Sequence, residues 1–137
     1  MLTQKPTHGV SNVIVLSHRL HARAQTAIQR LYPEATFTEA LFHCEDRNNL
    51  EEEIDELINY LKSKDALQGR VVITLPSISS ATALIMIAIH RETGHFPDII
   101  NMLQINGVYI PSPECPVFRG QAYGDRRRRN RCNKLTV

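Results

Sequence analysis

Short runs of apolar residues without alternating polar positions restrict the fold of this chain more than any other feature. VIVLS at residues 13–17 and RVVITLP at residues 70–76 are the clearest examples. A strand that is apolar on both faces must be covered on both faces, and such strands are typical of parallel sheets. The runs therefore predict an α/β protein with helices packed on both sides of one sheet.

Segments with helical periodicity separate the apolar runs. The clearest is DRNNLEEEIDELINYLKSK at residues 46–64, in which apolar residues recur every three or four positions. Acidic residues lie near its start and lysines at its end, as the helix dipole favours, and Asn48 or Asn49 can cap it. A first helix is predicted before Pro33 and a third over residues 79–93, where Gly94 is the expected stop.

The order predicted from these segments is β-α-β-α-β-α-β, with a further strand at the end. The other strands are ATFTEALFHC at residues 35–44, IINMLQI at 99–105 and GVYIP at 107–111. Asn106-Gly107 between the last two runs is a strong hairpin signal. Right-handed crossovers then give a small Rossmann-like three-layer sandwich with a mainly parallel sheet of four to five strands.

Length and composition agree with one domain. A chain of 137 residues with 42% apolar content can form one compact core. We expect residues 1–111 to form that domain and residues 112–137 to be loop followed by a basic tail. No run of about 18 apolar residues is present and the N-terminus lacks a signal-peptide core, so we expect a cytoplasmic protein without a membrane partner. Cys44, Cys115 and Cys132 are scattered and do not suggest a disulfide framework.

The end of the chain carries a strong local charge. Residues 125–134, DRRRRNRCNK, contain six basic side chains and one aspartate, so they carry +5 while the formal net charge of the whole chain is +2. A basic tail on a mildly acidic body is typical of proteins that contact a polyanion such as RNA. A solvated tail that only improves solubility is the alternative, and the sequence leaves both open.

Two polar segments are expected at the carboxyl edge of the predicted sheet. SHRLH at residues 17–21 follows the first strand, and PSISSAT at residues 76–82 follows the third. In open parallel sheets ligands bind at this edge, and the unpaired amides that begin each following helix attract anions. The polar residues of these segments that could meet such a ligand are Ser17, His18, Arg19 and His21 after the first strand, and Ser77, Ser79, Ser80 and Thr82 after the third.

Helix capping is the other explanation for these hydroxyl groups. One Ser or Thr is enough to cap a helix, whereas four lie between residues 77 and 82. Motifs of other nucleotide and hydrolase sites are absent, since the chain has no Walker A loop, no G-x-G-x-x-G and no G-x-S-x-G. His18 and His21 have a spacing that metal ligands can have, but no further ligand stands nearby, so we predict no metal and no cofactor.

The predicted helix at residues 79–93 is apolar around most of its circumference. A helix that covers one face of a sheet needs one apolar face. The apolar residues beyond that one face are assigned to Ile85, Met86 and Ile89. We therefore predict a symmetric homodimer through this helix. A deeply buried central helix is the alternative.

Three pieces of the sequence are similar to a known family. They are VLSHRL at residues 15–20, TLPSISSATALIMIAIH at 74–90 and GHFPDII at 94–100, and the likeness extends over roughly residues 11–105. The chain resembles the small type III CRISPR-associated Csx family numbered fifteen. The resemblance implies a minimal CRISPR-associated Rossmann fold whose dimers bind cyclic oligoadenylate, the second messenger of type III CRISPR defence, with cyclic tetra-adenylate as the first candidate.

The resemblance also implies a role in limiting that signal, either by sequestering the messenger or by cleaving it as a ring nuclease. It places ligand contacts on Ser17, His18 and Arg19 after the first strand and on Ser77, Ser79, Ser80 and Thr82 after the third. Asn106 becomes a candidate partner for an adenine base. In a ring nuclease, His18 is the candidate acid or base. The chain departs from the family at Arg19, where a proline is typical, and in its arginine tail. RNA or protein binding through Arg126–Arg129 is a third hypothesis, independent of the resemblance.

Overall fold

The computed structural model describes residues 9–16, 19–42, 47–76, 79–123 and 125. Three helices and seven strands lie in these ranges: β1 (Val10–Val15), α1 (Ala22–Leu31), β2 (Thr36–Glu39), α2 (Leu50–Ser63), β3 (Arg70–Thr74), α3 (Ser79–Thr93), β4 (Asp98–Ile100), β5 (Met102–Ile105), β6 (Val108–Pro111) and β7 (Val117–Phe118). A short 3-10 helix, Arg47–Asn49, precedes α2.

Within the described ranges, five strands form the main sheet in the order β2-β1-β3-β4-β7. β1 is parallel to both β2 and β3, and β3 is parallel to β4, whereas β7 is antiparallel to β4. The predicted α/β class and mainly parallel sheet are therefore confirmed. β2 pairs with one lateral edge of β1, and β3 pairs with the other. The direction in which strands are added therefore reverses after β2, and the switch point of the strand order lies between β1 and β3.

Helices cover both faces of this sheet, which explains the unbroken apolar runs. Ile14 and Ile73 are buried in a cluster with residues of α2 and α3. Their sequence neighbours Val13 and Val72 are buried in a second cluster with Ile28 of α1. Because successive side chains of a strand point to opposite faces, both positions of each pair need an apolar residue.

α3 packs with one side into the core, and this corrects part of the sequence interpretation. Ile85 and Ile89, which we assigned to an outward surplus, are buried between α2 and the sheet, and Ile89 is 0% exposed. Met86 is half-buried against the same cluster. Ile87 is the large apolar residue that α3 exposes, with 60% of its surface accessible. The homodimer through this helix stays a prediction, and an interface would have to use Ile87.

The predicted strand at residues 99–105 is in fact two strands that separate at Asn101. The backbone N–H of Asn101 donates to Pro116 O and its carbonyl accepts from Ser112 N–H, both at 2.8 Å. These bonds to the following segment end β4, and β5 turns away to pair with β6. The predicted hairpin through Asn106 and Gly107 is confirmed, and their φ values of 53° and 79° match the turn that Asn-Gly favours.

The segment after Pro111 also differs from the predicted loop. Val117 and Phe118 form β7 and pair with Ile100 and Ile99. A helical turn follows at residues 120–123. At Gly120 a Cβ atom would lie 2.5 Å from the carbonyl oxygen of Pro97, so the close contact between this segment and the start of β4 requires glycine. The folded body therefore continues beyond residue 111, while the arginine tail lies outside the described residues.

None of the helices in the described ranges combines the length and the apolar character that crossing a bilayer requires.

Candidate functional site

A cleft of about 590 Å³ opens at the carboxyl ends of the parallel strands. Leu20 from the connection after β1, Leu75 from the end of β3 and Met102 from the start of β5 form part of its apolar wall. The tip of the hairpin and β7 complete it through Val108 and Phe118. A mainly apolar cavity of this size is typical of small-molecule sites.

The position of the cleft agrees with the general rule for open α/β sheets. Ligands bind beyond the carboxyl ends of the strands, where the strand order switches. Here the switch lies between β1 and β3. Arg19 and Leu75, which follow these two strands, both line the cleft.

Two threonine hydroxyl groups make hydrogen bonds near the carboxyl ends of the two central strands. Thr74 Oγ1 accepts a hydrogen bond from Leu16 N–H at 2.9 Å, which joins the end of β1 to the end of β3. Thr82 Oγ1 donates to the carbonyl of Pro76 at 3.3 Å and so connects the first turn of α3 to the segment after β3. The hydroxyl hydrogen of Thr82 is directed at the Pro76 carbonyl, so Thr82 must break this bond before it can donate to a phosphate. Its role as a ligand contact stays a prediction.

Several of the ligand residues that the resemblance implies lie within the described ranges. Of these, Arg19 lines the cleft. Its side chain is 80% exposed, and its Nε lies 4.0 Å from Glu39 Oε2. An exposed ion pair of this length contributes little, so the guanidinium can leave Glu39 for an anion. Arg19 therefore lies where a ligand in the cleft could contact it. Its role as a phosphate contact stays a prediction.

His21 also lines the cleft, but part of its role is structural. Its Nδ1 accepts a hydrogen bond from Arg23 N–H at 3.1 Å, which caps the start of α1. This bond requires an unprotonated Nδ1, so the neutral ring carries its proton on Nε2.

The serines at the start of α3 are exposed and lie outside the set of residues that line the cleft. Ser79 and Ser80 are the first residues of α3, whose first turn contains no acidic side chain. The positive end of this helix dipole is therefore not neutralised within its own first turn. Ser17, His18 and Ser77 lie outside the described residues, and their ligand roles stay predictions.

Asn106 occupies an exposed turn at the tip of the hairpin. Its positive φ gives this residue a structural role in the turn, and its predicted contact with adenine is untested. The neighbouring Gly107, Val108 and Tyr109 line the cleft instead.

Sequence reasoning missed Asn101, Tyr109 and Phe118 as cleft residues. Asn101 lies inside the predicted strand at residues 99–105. A single polar residue between apolar neighbours is the sequence feature that could have indicated a break in that strand. Phe118 lies in a segment for which the sequence predicts a loop. In the part of the chain that is described, no group of three or more His, Cys, Asp or Glu side chains is arranged to hold a metal ion.

Comparisons of this chain with protein-family models, with curated proteins and with solved structures found no match. The resemblance to the CRISPR-associated family therefore remains a prediction from sequence motifs.

Proposed function

We propose that this protein binds a cyclic oligoadenylate, with cyclic tetra-adenylate as the first candidate, and limits type III CRISPR signalling by sequestering it. The motif resemblance supports the identity of the ligand and the reading of the fold as a minimal Rossmann-like three-layer sandwich. The observation that carries the location is the cleft of about 590 Å³ at the strand-order switch, with Arg19 in its wall.

Phosphate groups of the ligand would find positive charge at this edge of the sheet. Arg19 has an always-charged guanidinium that can hold a phosphate through two hydrogen bonds. Ser79 and Ser80 can add hydroxyl donors beside the free amides at the start of α3. Ser17, His18 and Ser77 belong to the same proposed phosphate surface on the basis of sequence.

A two-fold homodimer suits a ligand that itself has rotational symmetry. The outward side of α3 with Ile87 is the proposed interface, and each subunit would contribute one set of phosphate contacts. A ring nuclease is the alternative activity within the same site, and it depends on His18 as acid or base. Sequestration is the first proposal. Within the described residues His21 lines the cleft, and its Nδ1 is engaged in capping α1.

Calorimetry with cyclic tetra-adenylate tests the proposal, with linear tetra-adenylate as the ligand control. We expect binding of the cyclic form and no new product by chromatography after prolonged incubation. Arg19→Ala should weaken binding on the order of tenfold, because it removes charge-assisted hydrogen bonds to phosphate. Arg23→Ala is the matched control, since Arg23 is an exposed arginine of α1 outside the cleft wall.

The outcomes separate the hypotheses. Absence of binding at saturating cyclic tetra-adenylate contradicts the proposed ligand. Binding followed by linear product indicates a ring nuclease. His18→Ala should then lose cleavage, and any loss of affinity in this variant measures its phosphate contact. Equal losses in the Arg19 and Arg23 variants would show that net charge, and not this cleft, governs affinity.

A further inference from the structure

Two aromatic rings in the cleft wall are exposed to solvent. Tyr109 comes from β6 and is 56% exposed, and Phe118 comes from β7 and is 50% exposed. Both line the same cleft although they lie on different sheets. Exposed aromatic side chains in a recess offer flat apolar surface on which another ring can stack.

Asn101 adds one oriented polar group to this apolar recess. Its side-chain Nδ2 donates to Cys115 O at 2.8 Å. A carbonyl can only accept, so this bond identifies the nitrogen of the amide and leaves Oδ1 as a hydrogen-bond acceptor. Among the described residues, none donates a hydrogen bond to Asn101 Oδ1. The backbone bonds to Pro116 and Ser112 hold Asn101 in place, so the acceptor is fixed before a ligand binds.

We propose that this cleft is a pocket for a nucleobase with an exocyclic amino group, and specifically for adenine. The inference rests on the proposed function and assigns the base of the nucleotide to Tyr109, Phe118 and Asn101. Adenine presents two apolar faces for stacking and an N6 amine that can donate to Asn101 Oδ1. Arg19 lines the same cleft and can hold the phosphate on the ribose of that nucleotide.

The recessed geometry favours a small ring over a protein partner. Tyr109 and Phe118 border a cavity of about 590 Å³. A mainly apolar cavity with a few fixed polar groups is the usual form of a small-molecule site. A protein docked on these rings is an outcome that the test below can detect.

The experiment uses adenosine 5′-monophosphate (AMP) as the probe, with inosine 5′-monophosphate (IMP) as its isosteric control. Inosine replaces the N6 amine with a carbonyl oxygen, which would face the acceptor Asn101 Oδ1. We expect the full-length protein to bind AMP about tenfold more tightly than IMP, since the inosine carbonyl leaves a polar group without a partner. Magnetisation transfer between base protons H2 or H8 and the Tyr109 ring should accompany binding.

Tyr109→Ala and Phe118→Ala should each weaken AMP binding about tenfold, because each removes a stacking surface. Tyr109→Phe should restore affinity, since it keeps the ring. Tyr60→Ala is the matched control, because Tyr60 is a comparably exposed tyrosine on α2, outside the cleft wall. If Phe118→Ala lowers the melting temperature through β7, Phe118→Leu and the Tyr109 pair of variants still decide the result.

Titration with cyclic tetra-adenylate in parallel separates this inference from the proposed function. Unchanged affinity of both alanine variants for AMP and for the cyclic ligand overturns the base pocket and leaves the proposed function standing. Loss of AMP binding in these variants, with no binding of the cyclic ligand by the wild type, supports the base pocket and removes the proposed function. Binding of neither ligand overturns both. Alanine variants that lose self-association and keep AMP affinity show a protein interface and also overturn the pocket.

Discussion

Asp98 is a buried carboxylate at the start of β4. Its Oδ2 lies 3.0 Å from Nη2 of Arg70, whose side chain is partly exposed. Burial raises the pKa of the Asp98 carboxyl above its ordinary value of 3.8, and Arg70, Arg119 and the N–H of Gly120 oppose this shift without cancelling it. Burial therefore outweighs the ion pair at this position.

This balance predicts how stability depends on pH. The folded protein holds the Asp98 proton up to a higher pH than the unfolded chain, so ionisation of Asp98 lowers stability as pH rises from about 3.8 through the raised pKa. Asp98→Asn removes this loss. We expect the melting temperature of the variant relative to wild type to increase as pH rises through that window. Asp55→Asn, at an exposed position of α2, controls for general charge effects.

A relative melting temperature that falls with rising pH would contradict this expectation. It would show that Arg70 and Arg119 together stabilise the carboxylate more than burial penalises it, and that the pKa of Asp98 is lowered.

At the scale of single elements, α3 has to serve the core and, in the proposed dimer, an interface. Ile89 packs between α2 and the sheet, while Ile87, two residues before it, points to the opposite side and is mostly exposed. Ile87→Glu should therefore convert a dimer to monomers with little change in the stability of each subunit. Light scattering measures the mass, and circular dichroism checks that the helices are retained.

Ile89→Glu is the contrasting variant for this helix. A buried unpaired carboxylate is strongly destabilising, so this protein should unfold or melt at a much lower temperature. A wild type that is monomeric at micromolar concentration, or an Ile87→Glu protein of unchanged mass, rules out α3 as the interface.

Elements that depend on local pattern could be predicted from the sequence, and elements that depend on distant contacts could not. α2 follows from its own periodicity and acidic first turn, and the hairpin follows from Asn106-Gly107. The separation of β4 from β5 depends on hydrogen bonds that Asn101 makes with residues 112–116. β7 has two residues, too short to show alternation, and exists because it pairs with β4.

At the scale of the whole molecule, the same distinction applies to the candidate site. Parallel strands place their carboxyl ends at one edge, so the sequence could predict that edge and, with it, Arg19. The two aromatic residues of the cleft wall, Tyr109 and Phe118, could not be predicted. Tyr109 belongs to the β5–β6 hairpin and Phe118 to β7, and the sequence does not indicate where either element packs relative to the main sheet. Fold topology, and not any motif, brings these residues to the cleft.

The course of the C-terminal segment separates the cleft from the end of the described chain. β7 runs antiparallel to β4, from the cleft toward the opposite edge of the sheet. There Phe96 N–H donates to Gln121 Oε1 at 3.2 Å, and Gln121 Nε2 donates to Asp125 Oδ1 at 3.4 Å. Residue 125 therefore lies near the amino end of β4, away from the cleft.

Removal of residues 126–137 should therefore leave the cleft intact. We expect the truncated protein to keep its melting temperature and its affinity for cyclic tetra-adenylate and AMP, because Phe118 and the contacts of Gln121 and Asp125 remain. Any RNA binding should be lost, together with its steep dependence on salt concentration, since that binding would come from the arginines. Removal of residues 112–137 is the matched control, and it should lower both stability and ligand affinity because β7 and one cleft wall are deleted. A large loss of ligand affinity in the shorter truncation would show that the arginine tail is part of the binding site and that the cleft does not account for recognition.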